Sequence, residues 1–149
     1  MDSSLARLDA LVGQWNMDAI WPEGGPADVA GTCTFEWDLG GRYLLQRTEW
    51  TIPEAPNTIA LIGPDLRGGE FVQHYFDSRG VTRLYAMELD GNSWKLERTT
   101  PDFSPLDFWQ RYEGTFSEEG KSIHGAWNMS EDEGQTWTHD FELNYTRME

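Results

Sequence analysis

The chain has 149 residues, of which 38% are hydrophobic and 13% aromatic, and its formal charge is -15. This hydrophobic content is too high for a disordered chain, and no run reaches the ~18 apolar residues that a membrane helix needs. A surface of such negative charge repels phosphate backbones and anionic lipids, so nucleic acid and membranes are not expected partners. The length is typical of one domain, and we expect residues 1–149 to form one.

The cysteine content and the amino terminus both bear on the cellular compartment. Cys33 is the only cysteine, so the chain can form no internal disulfide. Met1-Asp2-Ser3-Ser4 lacks the basic start and apolar stretch of a secretory signal. These features predict a cytoplasmic protein in a reducing environment. The sequence carries no signal for an oligomeric state.

The first predicted element is a helix over residues 3–12. Leu5, Leu8 and Leu11 share one stripe at helical spacing, and Gly13 is a residue type that ends helices. After Gly13 the apolar residues recur with period two, which is typical of strands with one buried face. The sequence therefore predicts one short helix followed by β-structure.

Ten short alternating runs follow the helix and predict ten strands. They are Gln14–Trp21, Val29–Leu39, Arg42–Trp50, Thr58–Gly63, Glu70–Asp77, Thr82–Leu89, Ser93–Thr99, Phe108–Phe116, Ser122–Met129 and Thr136–Thr146. Turn signals such as Gly40-Gly41 and Asp90-Gly91-Asn92 join neighbouring runs, so consecutive strands are expected to pair antiparallel. Closing such a meander removes its exposed edges. We predict an all-β, up-and-down barrel with the helix over one end.

Gly13-Gln14-Trp15 at the start of the first strand, and Tyr145-Thr146-Arg147 at the end of the last, carry a resemblance to the calycin superfamily. That group includes the lipocalins, the fatty-acid-binding proteins and the haem-binding nitrobindins. The resemblance implies that a tryptophan closes one barrel end and that an arginine of the last strand packs across its ring. Trp15 and Arg147 stand at those positions in this sequence.

Almost the whole chain also resembles an uncharacterised group of bacterial lipocalin-like proteins. The matching stretches are Phe35–Gln46, His74–Gly80 and Phe103–Phe108. This resemblance implies the barrel fold and no established chemistry.

Several polar and cationic residues share a strand register with large hydrophobes, and side chains in one register point to one face. An unpaired charge is costly in a packed core, so inward cations favour a cavity with polar groups in its wall. The predicted ligand-binding residues combine polar groups with an apolar wall: Arg83, Tyr85, Arg98, Gln110, Tyr112, His139, Trp37, Trp94, Trp127 and Phe108. In the strand over 70–77 the facing is open, so His74 and Tyr75 are alternatives.

The preferred function is non-catalytic binding of a small, largely apolar molecule, with a carboxylate as one possible polar group. An arginine presents a planar fork of donors that suits a carboxylate. The resemblance to fatty-acid-binding barrels implies the same arrangement, with Arg and Tyr holding the acid. A structural role for Arg83 and Arg98, bonded to strand carbonyls or to glutamates, stays open.

Two other functions are weighed against binding. The resemblance to nitrobindins implies a haem barrel, for which His139 is the candidate ligand; no other cofactor and no metal site is expected, because the histidine spacings match no metal motif. A cavity enzyme would use His74 with Asp77, or His139 with Asp102 or Asp107, as an acid–base pair. No nucleophile elbow or phosphate loop is present, so no catalytic residue is assigned.

Overall fold

The computed structural model describes residues 5–99 and 108–148, whose ten antiparallel strands close into a barrel. The strands are β1 (Gly13–Ile20), β2 (Val29–Asp38), β3 (Tyr43–Trp50), β4 (Thr58–Pro64), β5 (Phe71–Asp77), β6 (Thr82–Asp90), β7 (Ser93–Arg98), β8 (Trp109–Phe116), β9 (Ser122–Ser130) and β10 (Thr138–Arg147). Each strand pairs with its sequence neighbours, and β1 pairs with β10 to close the barrel. The predicted ten-stranded up-and-down barrel is confirmed.

The amino-terminal helix spans Leu5–Leu11 and is a 3-10 helix, shorter than the predicted one, whose residues 3 and 4 lie outside the described chain. Its three leucines are buried, as their spacing predicts. Arg7 anchors the helix by donating to the Leu89 carbonyl at 3.0 Å and by pairing with Glu70 at 3.0 Å. Contacts with the ends of β5 and β6 thus set the helix over one end of the barrel. No helix in residues 5–99 and 108–148 has the length and apolarity to cross a membrane.

Trp15 and Arg147 lie together under this helix, in register on β1 and β10. Trp15 is fully buried and donates its indole N–H to the Leu11 carbonyl at 2.9 Å. The Arg147 guanidinium lies 4.1 Å from the centre of the Trp15 ring and donates to the Val12 carbonyl at 2.6 Å. Gly13 has a φ of 131°, and a side chain there would meet the Arg147 guanidinium, so this position needs glycine. These contacts join residues near both ends of the chain, and together Trp15 and Arg147 form a plug that closes this end of the barrel.

The half of the barrel next to the helix is filled with aromatic side chains. The fully buried Trp94 ring packs against Phe35, Tyr112 and Tyr145, with ring centres 5.2 to 6.2 Å apart. The Tyr112 hydroxyl donates to the Leu143 carbonyl at 2.9 Å, which satisfies it within the core. Burial raises the pKa of Tyr112 above its ordinary value, so the phenol stays neutral. In the described residues, this half of the barrel is therefore occupied by packed aromatic side chains.

The opposite end of the barrel is ringed by connecting loops. Because the sheet is a meander, every second connection lies at the same end. The connections over residues 21–28, 51–57, 78–81 and 131–137 lie at the end away from the helix. Side chains from the first three of these loops line the mouth of a cavity. The fold thus has one plugged end and one end at which loops surround the mouth of the cavity.

Candidate functional site

A cavity of about 540 Å³ occupies the open half of the barrel, within the ~300–1,000 Å³ typical of small-molecule sites. Its lining divides by strand. Side chains from β1, β9 and β10, with one from the loop after β1, form a largely apolar wall: Met17, Ala19, Trp21, Trp127, Phe141, Leu143 and Tyr145. Polar side chains come from β3, β5, β6 and β8: Gln46, Thr48, Gln73, Tyr75, Arg83, Tyr85 and Gln110. Two chemically different walls therefore face each other.

The facing of β5, which the sequence leaves open, follows from burial. Gln73 is buried and Tyr75 is half-buried, and both line the cavity, while His74 and Phe76 on the alternate register are exposed. The register pairs Gln73 with Tyr85 and Tyr75 with Arg83 across the β5–β6 ladder. The open choice between His74 and Tyr75 resolves to Tyr75.

Arg83 is the central charged residue of the cavity. It is 8% exposed, and its Nε is buried without a hydrogen-bond partner among residues 5–99 and 108–148. Its guanidinium lies 5.8 Å from the centre of the Tyr75 ring, an interaction that satisfies none of its N–H donors. Leaving a buried charged donor unpaired costs several times more than one ordinary hydrogen bond gains. Arg83 is thus a cationic donor that faces the cavity with bonding capacity to spare.

Tyr75 is held beside Arg83 by a network at the β5–β6 turn. Its hydroxyl donates to Asp77 at 2.9 Å, and Arg79 donates to the same carboxylate oxygen at 2.7 Å. Burial would raise the pKa of Asp77, but the hydrogen bonds from Arg79 and Tyr75 outweigh it and lower the pKa. Burial and the Asp77 carboxylate raise the pKa of Tyr75. The turn therefore holds an ionised Asp77 and a neutral phenol at the mouth.

Gln110 is fixed by two donors that share its side-chain oxygen. Tyr85 donates to that oxygen at 3.0 Å and the Nε of Arg98 at 3.3 Å. Arg98 also donates to the Phe108 carbonyl at 2.9 Å and lies over the Phe108 ring. Since both donors bond the side-chain oxygen of Gln110, its amide N–H groups remain able to donate to a ligand. Arg98 thereby positions two cavity residues without lining the cavity itself.

A chain of buried polar groups runs along the wall from β5 to β2. The Gln73 amide donates to the Gln46 oxygen at 2.8 Å, and the Gln46 amide donates to the Cys33 sulfur at 3.7 Å. Thr48 donates to the same sulfur at 3.6 Å. The pattern shows why two glutamines are tolerated at this depth, because the Gln73 amide nitrogen finds a partner on β3, two strands away, and the Gln46 amide nitrogen finds one on the adjacent β2.

The Cys33 thiol is expected to react slowly with disulfide reagents in the folded protein at mildly alkaline pH. Burial raises its pKa to about 11, although hydrogen bonds from Thr48 and Gln46 act in the opposite direction. The thiolate is the reactive form, so both its low population and its lack of access protect the residue. The measurement is the rate of colour release from an aromatic disulfide reagent, with the denatured protein as control. Rapid labelling of the folded protein would contradict this burial.

His139 does not point into the barrel, so the prediction that it faces inward is wrong. A β-bulge between His139 and Phe141 shifts the register against β9. The extra residue reverses the facing of everything before it on the strand, so His139 is exposed while Phe141 lines the cavity. Trp137 precedes the bulge too, and its ring lies 4.1 Å from the outward-facing guanidinium of Arg111.

The remaining predicted site residues divide between the cavity and its surroundings. Tyr85, Gln110, Trp127 and Phe108 line the cavity with Arg83, whereas Trp94 and Tyr112 belong to the filled half. Trp37 lies at the plugged end and donates its indole N–H to Asp9 at 2.8 Å. All of these side chains are buried or half-buried, but they lie at different depths along the barrel, which separates the cavity wall from the plugged end. Strand register in a sequence indicates which face of the sheet a side chain lies on, but it does not indicate how far along the barrel axis that side chain lies.

Acidic groups occur at the mouth rather than in the depth of the cavity. Asp140, next to the bulge, lines the cavity, and burial raises its pKa while the nearby His139 acts in the opposite direction. Glu54 lines the mouth from an exposed loop position. Within residues 5–99 and 108–148, no three His, Cys, Asp or Glu side chains group as a metal site would require.

Residues 3–147 match the family described as "Protein of unknown function (DUF1579)". The chain belongs to the DUF1579 family. No curated protein matches its sequence as a relative.

Two crystal structures show the same fold as this DUF1579 barrel. Rv2717c from M. tuberculosis aligns with a TM-score of 0.69 at 15% identity, over 100% of this chain and 99% of that one. A protein of unknown function from the DUF3598 family, Npun_R4044 from Nostoc punctiforme PCC 73102, aligns with a TM-score of 0.57 at 13% identity. The second match covers 95% of this chain and 49% of the other. At these identities the similarity shows the fold alone, and the calycin relationship stays a prediction.

The histidine-based functions can be tested against the geometry of this DUF1579 member. His74, His124 and His139 are all exposed, and the described cavity wall includes none of them. A haem inside the barrel would therefore lack His139 as an axial ligand, so His139 does not fit the role that the resemblance implies. The candidate pair His74 and Asp77 is split between the outer face and the mouth, and Asp102 and Asp107 lie outside the described residues.

Proposed function

We propose that this protein binds a small, largely apolar carboxylic acid inside the barrel, without a covalent step. The observation that carries the proposal is the buried Arg83 side chain, which lines the cavity and whose Nε has no partner in the part of the chain that the structure describes. A carboxylate oxygen is the acceptor that best satisfies a guanidinium, because its charge is opposite and its geometry matches. The single cysteine is consistent with the cytoplasmic location that we expect.

The apolar wall supplies the rest of the proposed binding energy. Trp127, Phe141 and Leu143 offer ring and aliphatic surface opposite the polar wall. Burying apolar ligand surface contributes about 25 cal/mol per Å², before the cost of immobilising the ligand. A ligand with one apolar face and one acidic group therefore matches both walls.

The overall negative charge does not argue against an acidic ligand. The formal charge of -15 repels acids at long range, which slows encounter. Beyond a Debye length of about 8 Å at physiological salt this repulsion is largely screened. Arg83 lies in the polar wall of the cavity, while Asp140 and Glu54 lie at its mouth, so we expect the Arg83 cation to decide the preference.

The test compares 2-naphthoate with 2-naphthamide, which have the same rings and differ in charge. We expect calorimetric titration to show the acid binding about 10- to 100-fold more tightly, because hydrogen bonds to charged partners contribute roughly 1.5–3 kcal/mol. Saturation of the calorimetric signal at one ligand per chain is part of the expected result. Equal affinity for the acid and the amide, or no binding of either, would contradict the proposal.

A further inference from the structure

Gln73 has an unused acceptor in the deeper part of the cavity. Its amide nitrogen donates to Gln46 at 2.8 Å, but no residue in the described chain donates to its side-chain oxygen. The residue is 3% exposed and lines the cavity, and this oxygen is not among the fully enclosed polar atoms. An amide oxygen in this setting lacks the partner that buried acceptors normally have. It therefore offers a hydrogen bond to whatever fills the cavity.

Gln73 and Arg83 lie at different depths on the same wall. The register sets Tyr75 opposite Arg83 and Gln73 opposite Tyr85, so Gln73 is two residues deeper than the cation. Two residues of a strand span roughly 7 Å. A ligand whose carboxylate contacts Arg83 can therefore reach the Gln73 oxygen with a group on its opposite end, if the two groups are separated by about the length of a bicyclic ring system.

We propose that the carboxylic acid bound at Arg83 also carries a hydroxyl or N–H group, which donates to the Gln73 side-chain oxygen. The inference rests on the proposed function, because both groups belong to one ligand. It narrows the ligand class to ring-containing hydroxy acids or amino-substituted acids with the two groups at opposite ends. A plain alkyl acid is the disfavoured alternative, because its tail would cover the Gln73 oxygen and leave it unpaired.

The experiment titrates three acids by calorimetry: 2-naphthoate, 6-hydroxy-2-naphthoate and 6-methoxy-2-naphthoate. We expect the hydroxyl to raise affinity about three- to tenfold over the parent acid, since it supplies one neutral hydrogen bond. The methoxy group cannot donate, so 6-methoxy-2-naphthoate is expected to gain nothing. In Gln73→Met, the hydroxy acid and the parent acid are expected to bind with equal affinity.

The outcomes separate the two proposals. If 2-naphthoate binds to the unaltered protein in preference to its amide but the hydroxyl adds nothing, the inference about Gln73 falls and the proposed function stands. An advantage for the hydroxyl that persists in Gln73→Met would also overturn the inference. If none of the three acids binds, both proposals fall.

Discussion

Replacing Trp15 with alanine is expected to lower the free energy of unfolding by about 3–5 kcal/mol, the range for truncating a fully buried large aromatic residue. Trp15 is fully buried, donates to the Leu11 carbonyl and lies under the Arg147 guanidinium. The change removes all three interactions and leaves a cavity at the point where β1 meets β10. Denaturant unfolding followed by circular dichroism measures the loss.

Trp137→Ala is the matched control for this change. Trp137 lies on the outer face beside Arg111 and Trp109, and it is only half-buried. Its loss costs a cation–π contact and some surface packing, so we expect roughly 1 kcal/mol. Similar losses from the two substitutions would contradict the assignment of Trp15 as the plug of the barrel.

Replacing Arg83 with methionine is expected to weaken binding of 2-naphthoate about 10- to 100-fold while leaving the ligand-free protein equally stable or up to about 1 kcal/mol more stable. Methionine removes the cation that pairs with the acid, and it also removes a buried N–H group for which the described residues supply no partner. The contact with the Tyr75 ring is lost as well, which offsets part of the gain in stability. Calorimetric titration and denaturant unfolding measure the two effects.

Arg111→Met provides the control for Arg83→Met, because the side-chain change is the same and the site is on the outside. Arg111 pairs with Glu113 at 2.9 Å and covers the Trp137 ring. We expect a small loss of stability and no change in affinity for 2-naphthoate. A large loss of stability in Arg83→Met would instead assign Arg83 a structural role like that of Arg147.

The fold could be predicted because its signals are local and repeated. The alternation along each strand and the Gly-rich turns determine pairing between neighbours, and Trp15 and Arg147 mark the ends that meet. The facing of β5 could not be read, because Phe71 and Tyr75 compete with Val72 and Phe76 as the apolar set. Burial resolves it, since only one set fits inside a closed barrel.

The site was harder to predict, for two physical reasons. A bulge adds one residue to β10 between His139 and Phe141. Nothing in the local composition marks this bulge, so simple alternation from Phe141 predicts the wrong face for His139. Gln46 and Gln73 were missed as a pair, although each shares a register with apolar residues, because their contact joins strands 27 residues apart in sequence. The sequence does contain one signal for Gln73: it shares a register with Phe71, which indicates that its side chain faces the interior.

The strand order has a consequence for how the barrel acquires its shape. Each contact between adjacent strands closes a short loop, except that between β1 and β10, which joins the two ends of the chain. Chain entropy lost on closing a loop grows with its length, and contacts between distant residues slow folding. Trp15 and Arg147 therefore lie in the seam between β1 and β10, the strand pair whose formation orders the longest stretch of chain. Residues of both strands line the cavity, so its wall is complete only when that seam is closed.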